Sequence, residues 1–453
     1  MTQPDDTSGS FCFVHAADLH LDTPFKGIGQ TAPLIAQALR EASLDAFDDL
    51  VAVCLERRAA FLVLAGDIYD GADRGIRAQL RFRDGLGRLS DAGIYTLVVH
   101  GNHDPVESGW SAIGTWPPLV TIFGTESVEA VPVVRDGCQI AVVHGISYWR
   151  RDVRENLALR FARSGGPGFE VGVLHCNVTA AADGHEDYSP CSLDDLGRAG
   201  LDYWALGHIH TSMVLSGRPH ADEPWVVYPG NLQARSTKAS ESGAKGAMVV
   251  DVVDGRVGGI EFVACDRIRY VTVDIDVSAL GSIDAVRDVL ADAGHDALDG
   301  ADDRSVVLRA RLCGRSDVHA MLHHDRVLAE LLESLRDEFP LQQPWCWWDR
   351  IDDASAPTID VEELKAGSDF AADLITMSHD LLRRCSTPAL ALGLDAELPT
   401  DLLEDITSTL PRALRARLLA SHMSASELIE AGLTTALDEL GAGSDLAPTG
   451  HLT

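Results

Sequence analysis

The stretch FLVLAGDIYD, residues 61–70, runs five apolar residues into Gly66, a carboxylate at Asp67 and a second at Asp70. Its first half reads as a short buried strand, aliphatic and free of charge. The chain repeats this design four times more. FCFVHAAD leads to Asp18 and His20, IYTLVVHGN to Asn102, FEVGVLH to His175, and DYWALGH to His208 and His210. Helical stretches lie between, as over residues 33–58, where Leu34, Ala38, Leu44, Phe47, Leu50, Val51, Cys54 and Leu55 are apolar. Strand–helix alternation predicts an α/β fold with much parallel pairing. In open sheets of that class ligands gather beyond the carboxyl ends of the strands. All seven of Asp18, His20, Asp67, Asn102, His175, His208 and His210 fall there.

Two Asp, one Asn and four His suit a pair of divalent cations. Imidazole and carboxylate oxygen favour Mn, Fe or Zn, and a carboxylate can bridge two ions. Ions about 3.5–4 Å apart act as a clamp for phosphate-ester displacement. Gly66, Gly101 and Gly207 each directly precede a proposed ligand, where a residue without Cβ lets the backbone turn sharply near an ion.

The ordered blocks D-x-H, G-D-x-x-D, G-N-H-D, H and G-H-x-H resemble the calcineurin-like metallophosphoesterase superfamily. Within it, AADLHLD, GDIYD and DYWALGHIH are similar to the SbcD-type DNA repair exonucleases, most closely the YhaO-like branch. HGISYWRRDVRENLALRF, GHEDYSPCSLDDL and YPGNLQARS extend that likeness, which is dense over residues 11–265. The resemblance implies a four-layer α/β/β/α sandwich with a small α/β capping domain and a helical C-terminal tail. It implies that Asp18, His20 and His210 bind one ion, that Asp67 bridges, and that Asn102, His175 and His208 complete the second. His103 would contact the phosphate and protonate the leaving oxygen, a task suited to an imidazole. Asp70 would orient His103, or else cap the following turn. The implied activity is a Mn-dependent DNA exonuclease in DNA repair, beside an SbcC-like coiled-coil ATPase and with a homodimer as a further expectation. The alternatives are a phosphodiesterase or phosphatase acting on a small molecule, and a non-catalytic scaffold that binds DNA ends.

The block GNHD, and Gly71 after Asp70, depart from the pattern of the protein Ser/Thr phosphatases. Ala234, in GNLQARS, stands where YhaO-like sequences usually carry Gly. His15 and His144 read as core histidines, His100 as packing beneath the site, and His185 as a loop residue that can line it. His323 and His324 read as a solvated helix face without a partner cluster.

The formal charge of −32 over 453 residues opposes nucleic-acid binding, which rests on phosphate contacts. Bound cations would offset it locally. Arginines also cluster, at Arg74, Arg77, Arg81 and Arg83 and at Arg150, Arg151 and Arg154, as either a backbone-tracking patch or a solvated face. Nine scattered cysteines without C-x-x-C spacing, and no signal-like or long apolar segment, point to the cytoplasm and away from membranes.

The expected organisation is a flexible amino terminus (1–10), the metallophosphoesterase domain (11–268), the cap (269–350), a helical partner-binding region (351–440) and a disordered tail (441–453). Residues 246–265 read as a hairpin turning at Asp254-Gly255. In the cap a strand–helix–strand unit precedes one helix over residues 317–339. Beyond it Phe370, Leu374, Met377 and Leu381 recur at helical spacing as one apolar face, and residues 410–423 read as a further helix.

Overall fold

Side-chain alternation along the strands assigns each residue to one of two buried faces, and a computed structural model shows what fills them. It describes residues 10–22, 33–71, 75–108, 111–166, 168–179, 188–218, 223–238, 241–339, 342–358, 364–367 and 370–385, with positions 429, 432–433 and 436–437.

The five apolar runs all form strands: β1 (Phe11–Ala16), β2 (Phe61–Ala65), β3 (Tyr95–Val99), β7 (Phe169–His175) and β8 (Tyr203–Gly207). The remaining strands of this part are β4 (Val120–Ile122), β5 (Glu129–Arg135), β6 (Cys138–Gly145), β9 (Met213–Ser216), β10 (Trp225–Tyr228), β11 (Gly246–Val253) and β12 (Arg256–Ala264). One six-stranded sheet has the order β12-β11-β1-β2-β3-β4 and the other β5-β6-β7-β8-β10-β9. β1 to β4 pair in parallel, as do β6, β7, β8 and β10, while the flanking strands run antiparallel.

Val14, Ala16, Leu62, Leu64 and Val98 face Phe47, Leu50 and Val51 of α1 (Pro33–Glu56) and Phe82 and Leu86 of α2 (Ile76–Asp91). Their alternates Phe13, Phe61, Val63, Leu97 and Val99 meet Phe169, Val171, Val173 and Tyr203 of the second sheet. Phe13 and Phe61 stack there with centroids 4.7 Å apart. On the second sheet's far side Leu174, Trp204 and Leu206 pack with Leu196 of α3 (Leu193–Arg198). The layers are therefore α/β/β/α. Burial on both faces explains why these strands read as continuous apolar runs. The β11–β12 hairpin turns at Asp254 and Gly255, with φ of 52° and 73°, as a two-residue primed turn requires.

The segment read as the cap holds β13 (Ile268–Asp276), α4 (Ile283–Asp299), β14 (Ser305–Arg315), α5 (Val318–Leu322), α6 (Val327–Glu338) and β15 (Cys346–Ala356), with sheet order β13-β14-β15. The single helix expected over 317–339 is two, because Arg326 takes a left-handed φ of 72°. Residue 351, expected to open the helical region, lies inside β15. There Ile351 is buried, and Asp349 bonds across to Arg309 at 2.6 Å. Helix α7 (Phe370–Cys385) forms as expected, but its buried positions are Ala372, Ile375 and Ser378, while Phe370 and Met377 are 68% and 58% exposed. Residues 1–9, the helix read at 410–423 and the tail from 441 lie outside the described residues. By contacts the described chain forms two compact units, one from residues within 1–275, 286–311 and 326–352, the other from 276–285, 312–325 and positions after 352.

His15 is a core histidine, bonded to Tyr203 Oη at 3.0 Å and Leu206 O at 3.2 Å. His144 is another, with Nε2 2.8 Å from Glu170 Oε2. Burial pushes the Glu170 carboxyl up, but hydrogen bonds from Ser164 and His144 outweigh it and hold the pKa below the usual 4.5. A carboxylate lowered in the folded state stabilises above its unfolded pKa, and that stability is lost on acidification. Glu170→Gln should therefore be less stable than wild type at pH 7 in urea unfolding. The gap should close as the pH falls below about 4; a gap independent of pH would contradict the charge-based contribution.

Candidate metal centre

Three backbone hydrogen bonds zip the segment after β1 to the segment after β2: Asp18 N to Gly66 O (3.0 Å), His20 N to Asp67 O (3.0 Å) and Leu21 N to Ile68 O (2.9 Å). The zipper holds Asp18, His20 and Asp67 at left-handed φ of 51°, 44° and 51°, and His208 after β8 has φ of 103°. Such backbone costs about 1–3 kcal/mol per residue and persists only where its surroundings over-determine it. The glycines serve close approach between neighbouring segments. A Cβ on Gly207 would lie 1.9 Å from Ala65 O, and one on Gly66, itself at φ 95°, would lie 2.4 Å from His175 Nδ1.

All seven residues read from the sequence converge at this end of the sheets. Asp18 accepts from His208 N at 3.0 Å, and His175 Nδ1 bonds Ala65 O at 2.9 Å. The His175 and His208 rings lie 5.3 Å apart, and those of His20 and His210 lie 5.1 Å apart. Asp67 Oδ2 lies 3.4 Å from His175 Nε2 and 3.8 Å from His20 Nε2, facing both groups. Asp67 Oδ1 accepts from His103 N at 2.9 Å. His103 Nδ1 reaches Asp70 Oδ1 at 2.8 Å, and Asp70 also meets His20 Nδ1 at 3.4 Å and Arg235 at 3.1 Å.

The donor chemistry fits cations. Glu241 accepts a hydrogen bond from His210 Nδ1–H (2.8 Å), and Asp70 faces Nδ1 of His20, so the Nε2 lone pairs of these rings oppose each other at 3.3 Å. His175 likewise donates Nδ1–H to a carbonyl, leaving Nε2 against the amide oxygen of Asn102 at 2.9 Å. Two lone pairs at such distances repel unless a positive charge, a proton or a metal ion, lies between them. Asp18, His20 and His210 form one group of such donors and Asp18, Asp67 and His175 another, each within 4.8 Å.

The electrostatics of the buried groups carry the same demand. Burial pushes Asp18 up to about 6, against the pull of His175 and His210. Burial opposes charge on His175 too, yet Asp67 and Asp18 lift it to about 9. Burial also acts to raise Asp67, but His175 and His20 bring it well below the usual range. The carboxylates draw a positive charge that a divalent cation can supply while the imidazoles stay neutral.

Several neighbours escaped the sequence reading. Glu241, buried against His210, also accepts from Asn231 Nδ2 at 2.7 Å, and orients an imidazole as ligand partners do. It lies 31 residues beyond His210, in a polar stretch without periodicity. Asp104, the last residue of GNHD, accepts from Gly101 N (2.8 Å), Ile68 N (2.9 Å) and His100 Nδ1 (2.9 Å), pinning two site segments together. Its place in the motif was the available signal. Arg235 and Lys238 line, with Asp67, His103, His208 and His210, a cavity of about 410 Å³. Gln233 anchors their segment to the cap through Ile268 O at 2.7 Å. Ala234 packs with Tyr270, Trp345 and Trp347.

Arginines of both clusters meet acceptors. Arg81 pairs with Asp45 and Asp48, Arg77 with Glu41, Arg83 with Asp84 and Arg154 with Asp152. Arg74 and His185 lie outside the described residues.

Residues 12–212 match the calcineurin-like phosphoesterase family, and residues 270–356 match the middle domain of metallophosphoesterase YhaO. The uncharacterized metallophosphoesterase YhaO of Bacillus subtilis is 34% identical over 341 residues, covering 75% of this chain and 81% of that protein. This chain belongs to the calcineurin-like metallophosphoesterases, in the YhaO branch. The metallophosphoesterase is also similar to proteins named DNA double-strand break repair protein Mre11. That of Thermoplasma acidophilum is 26% identical, over 47% of this chain and 57% of its own length. That of Haloferax volcanii is 27% identical, over 55% and 52%. Family and donor clusters together make the chain a metal-binding phosphoester hydrolase. Among the described residues no helix is long and apolar enough to cross a membrane.

A cation bound to the folded state stabilises it by mass action, about 2.7 kcal/mol at a hundredfold excess over Kd. Chelator-treated metallophosphoesterase should melt several degrees lower than the Mn-loaded protein in calorimetry, and Asp67→Asn should lose most of the Mn-induced shift. An equal shift in Asp67→Asn would place the bound ions elsewhere.

Proposed function

We propose that this metallophosphoesterase is a Mn-dependent DNA exonuclease acting in DNA repair. Asp18, His20 and His210 would hold one ion and Asn102, His175 and His208 the other, with Asp67 facing both groups. Such a pair, when bound, activates water and neutralises charge on the phosphate. The observation that carries the reading is His103, 31% exposed at the cavity, with its backbone on Asp67 and its Nδ1 on Asp70. That hydrogen bond raises the imidazole's pKa against its partial burial, which favours a proton on the ring. His103 then donates that proton to the leaving oxygen, Asp70 positions the ring, and Arg235 and Lys238 meet phosphate charge. The similarity to proteins named for double-strand break repair supports DNA as the substrate. An SbcC-like ATPase docking on the region after the cap, with a homodimer of this chain, is the proposed assembly.

The acid-matched arginines and the charge of −32 favour a second reading, a small phosphodiester substrate that needs no basic groove. The protein with Mn should be offered end-labelled duplex DNA, single-stranded DNA and a cyclic nucleotide in parallel. Laddering of DNA with little cyclic-nucleotide turnover is expected; the reverse selects the second reading. In the same assay His103→Ala should keep two equivalents of Mn yet turn over about 10²–10⁴-fold more slowly. An unchanged rate, or the loss of one ion, would overturn the role given to His103.

A further inference from the structure

The second compact unit carries its own convergence of donors. His319 on α5 and His323 at its carboxyl end are four residues apart, so their imidazoles share one face of the turn. Their ring centroids lie 4.2 Å apart. β15 runs against them, its Asp353 and Ser355 sharing one face by strand alternation. Ser316 N, just before α5, bonds Ala356 O at 3.0 Å and fixes the register of the two elements.

Asp353 Oδ1 is fully engaged, accepting from Ser355 N at 2.9 Å and Ser355 Oγ at 2.6 Å. Its Oδ2 is buried, in a side chain only 9% exposed, and has no hydrogen-bond donor among the described residues. That oxygen lies 3.4 Å from His323 Nδ1. His323 Nδ1 itself donates to His319 O at 3.0 Å, which leaves Nε2 as the nitrogen of that ring with a lone pair for an ion. One donor atom each from His319, His323 and Asp353 falls within a 4.8 Å span. Ser355 Oγ, 3.0 Å from His319 Nδ1, orients that ring as outer partners of ligands do.

We infer that His319, His323 and Asp353 form a further cation site, separate from the centre at the sheet ends, that takes a late first-row divalent ion of the zinc type. Two imidazoles and a carboxylate are the donor set such ions prefer. His323 is 60% exposed, so the ion enters from solvent and keeps water as its fourth ligand. Its effect is to clip α5 onto β15 and stiffen this part of the cap. His324 is exposed, as a solvated face requires, but His323 has partners four residues back and thirty residues on.

The test is equilibrium dialysis of the full chain against micromolar zinc, after chelator treatment, with bound metal counted by mass spectrometry. His319→Ala/His323→Ala should bind one equivalent less than wild type and keep phosphodiester hydrolysis unchanged. Zinc content equal to wild type would overturn the site. If the double variant fails to fold, the exposed single change His323→Ala decides, by losing that equivalent or by retaining it.

Discussion

The centre depends on one contact between backbones, the zipper that ties Asp18 to Gly66 O and His20 to Asp67 O. Through it the ends of β1 and β2 approach closely enough for Asp67 to face His20 and His175 together. The same approach puts Gly207 against Ala65 O, where no Cβ fits. Left-handed backbone at Asp18, His20, Asp67 and His208 is the consequence. The strain is tolerated because the inter-sheet core beneath, with Phe13 stacked on Phe61 and edge-on to Tyr203, holds the strands rigid.

That packing creates a demand for positive charge, which a proton or a divalent cation can meet. Nitrogen lone pairs of His20 and His210 face each other, and His175 faces an amide oxygen. The carboxylates beside them are buried and drive His175 toward the imidazolium form. Glu241, Asp70 and the carbonyl of Ala65 engage the outer nitrogens, and so direct the inner ones at the same small volume. Preorganisation of this kind is what metal-assisted phosphoester hydrolysis requires.

The strands and the seven convergent residues were legible because a doubly buried strand leaves an unbroken apolar run, ended abruptly by a polar donor. Asp70 was legible for a similar reason, three residues beyond Asp67. What stayed hidden was contributed across long loops. Glu241 reaches His210 from a stretch without periodicity, and Arg235 arrives on a segment whose position is set by Gln233 and the cap. The extent of β15 also stayed hidden: a helical region was expected from residue 351, yet Ile351 is buried in the strand and Asp349 is matched by Arg309 on β14. For α7 helical spacing gave the element, and of the apolar face read there Phe370 and Met377 are exposed. Ala372, Ile375 and Ser378 are buried there, and apolar Phe370 is not.

The central claim is that two cations share this one constellation. Anomalous scattering from crystals grown with Mn tests it most directly. The account predicts two peaks about 3.5–4 Å apart, one beside His20 and His210, the other beside Asn102 and His175, with Asp67 touching both. A single peak, or peaks away from Asp67, would contradict it.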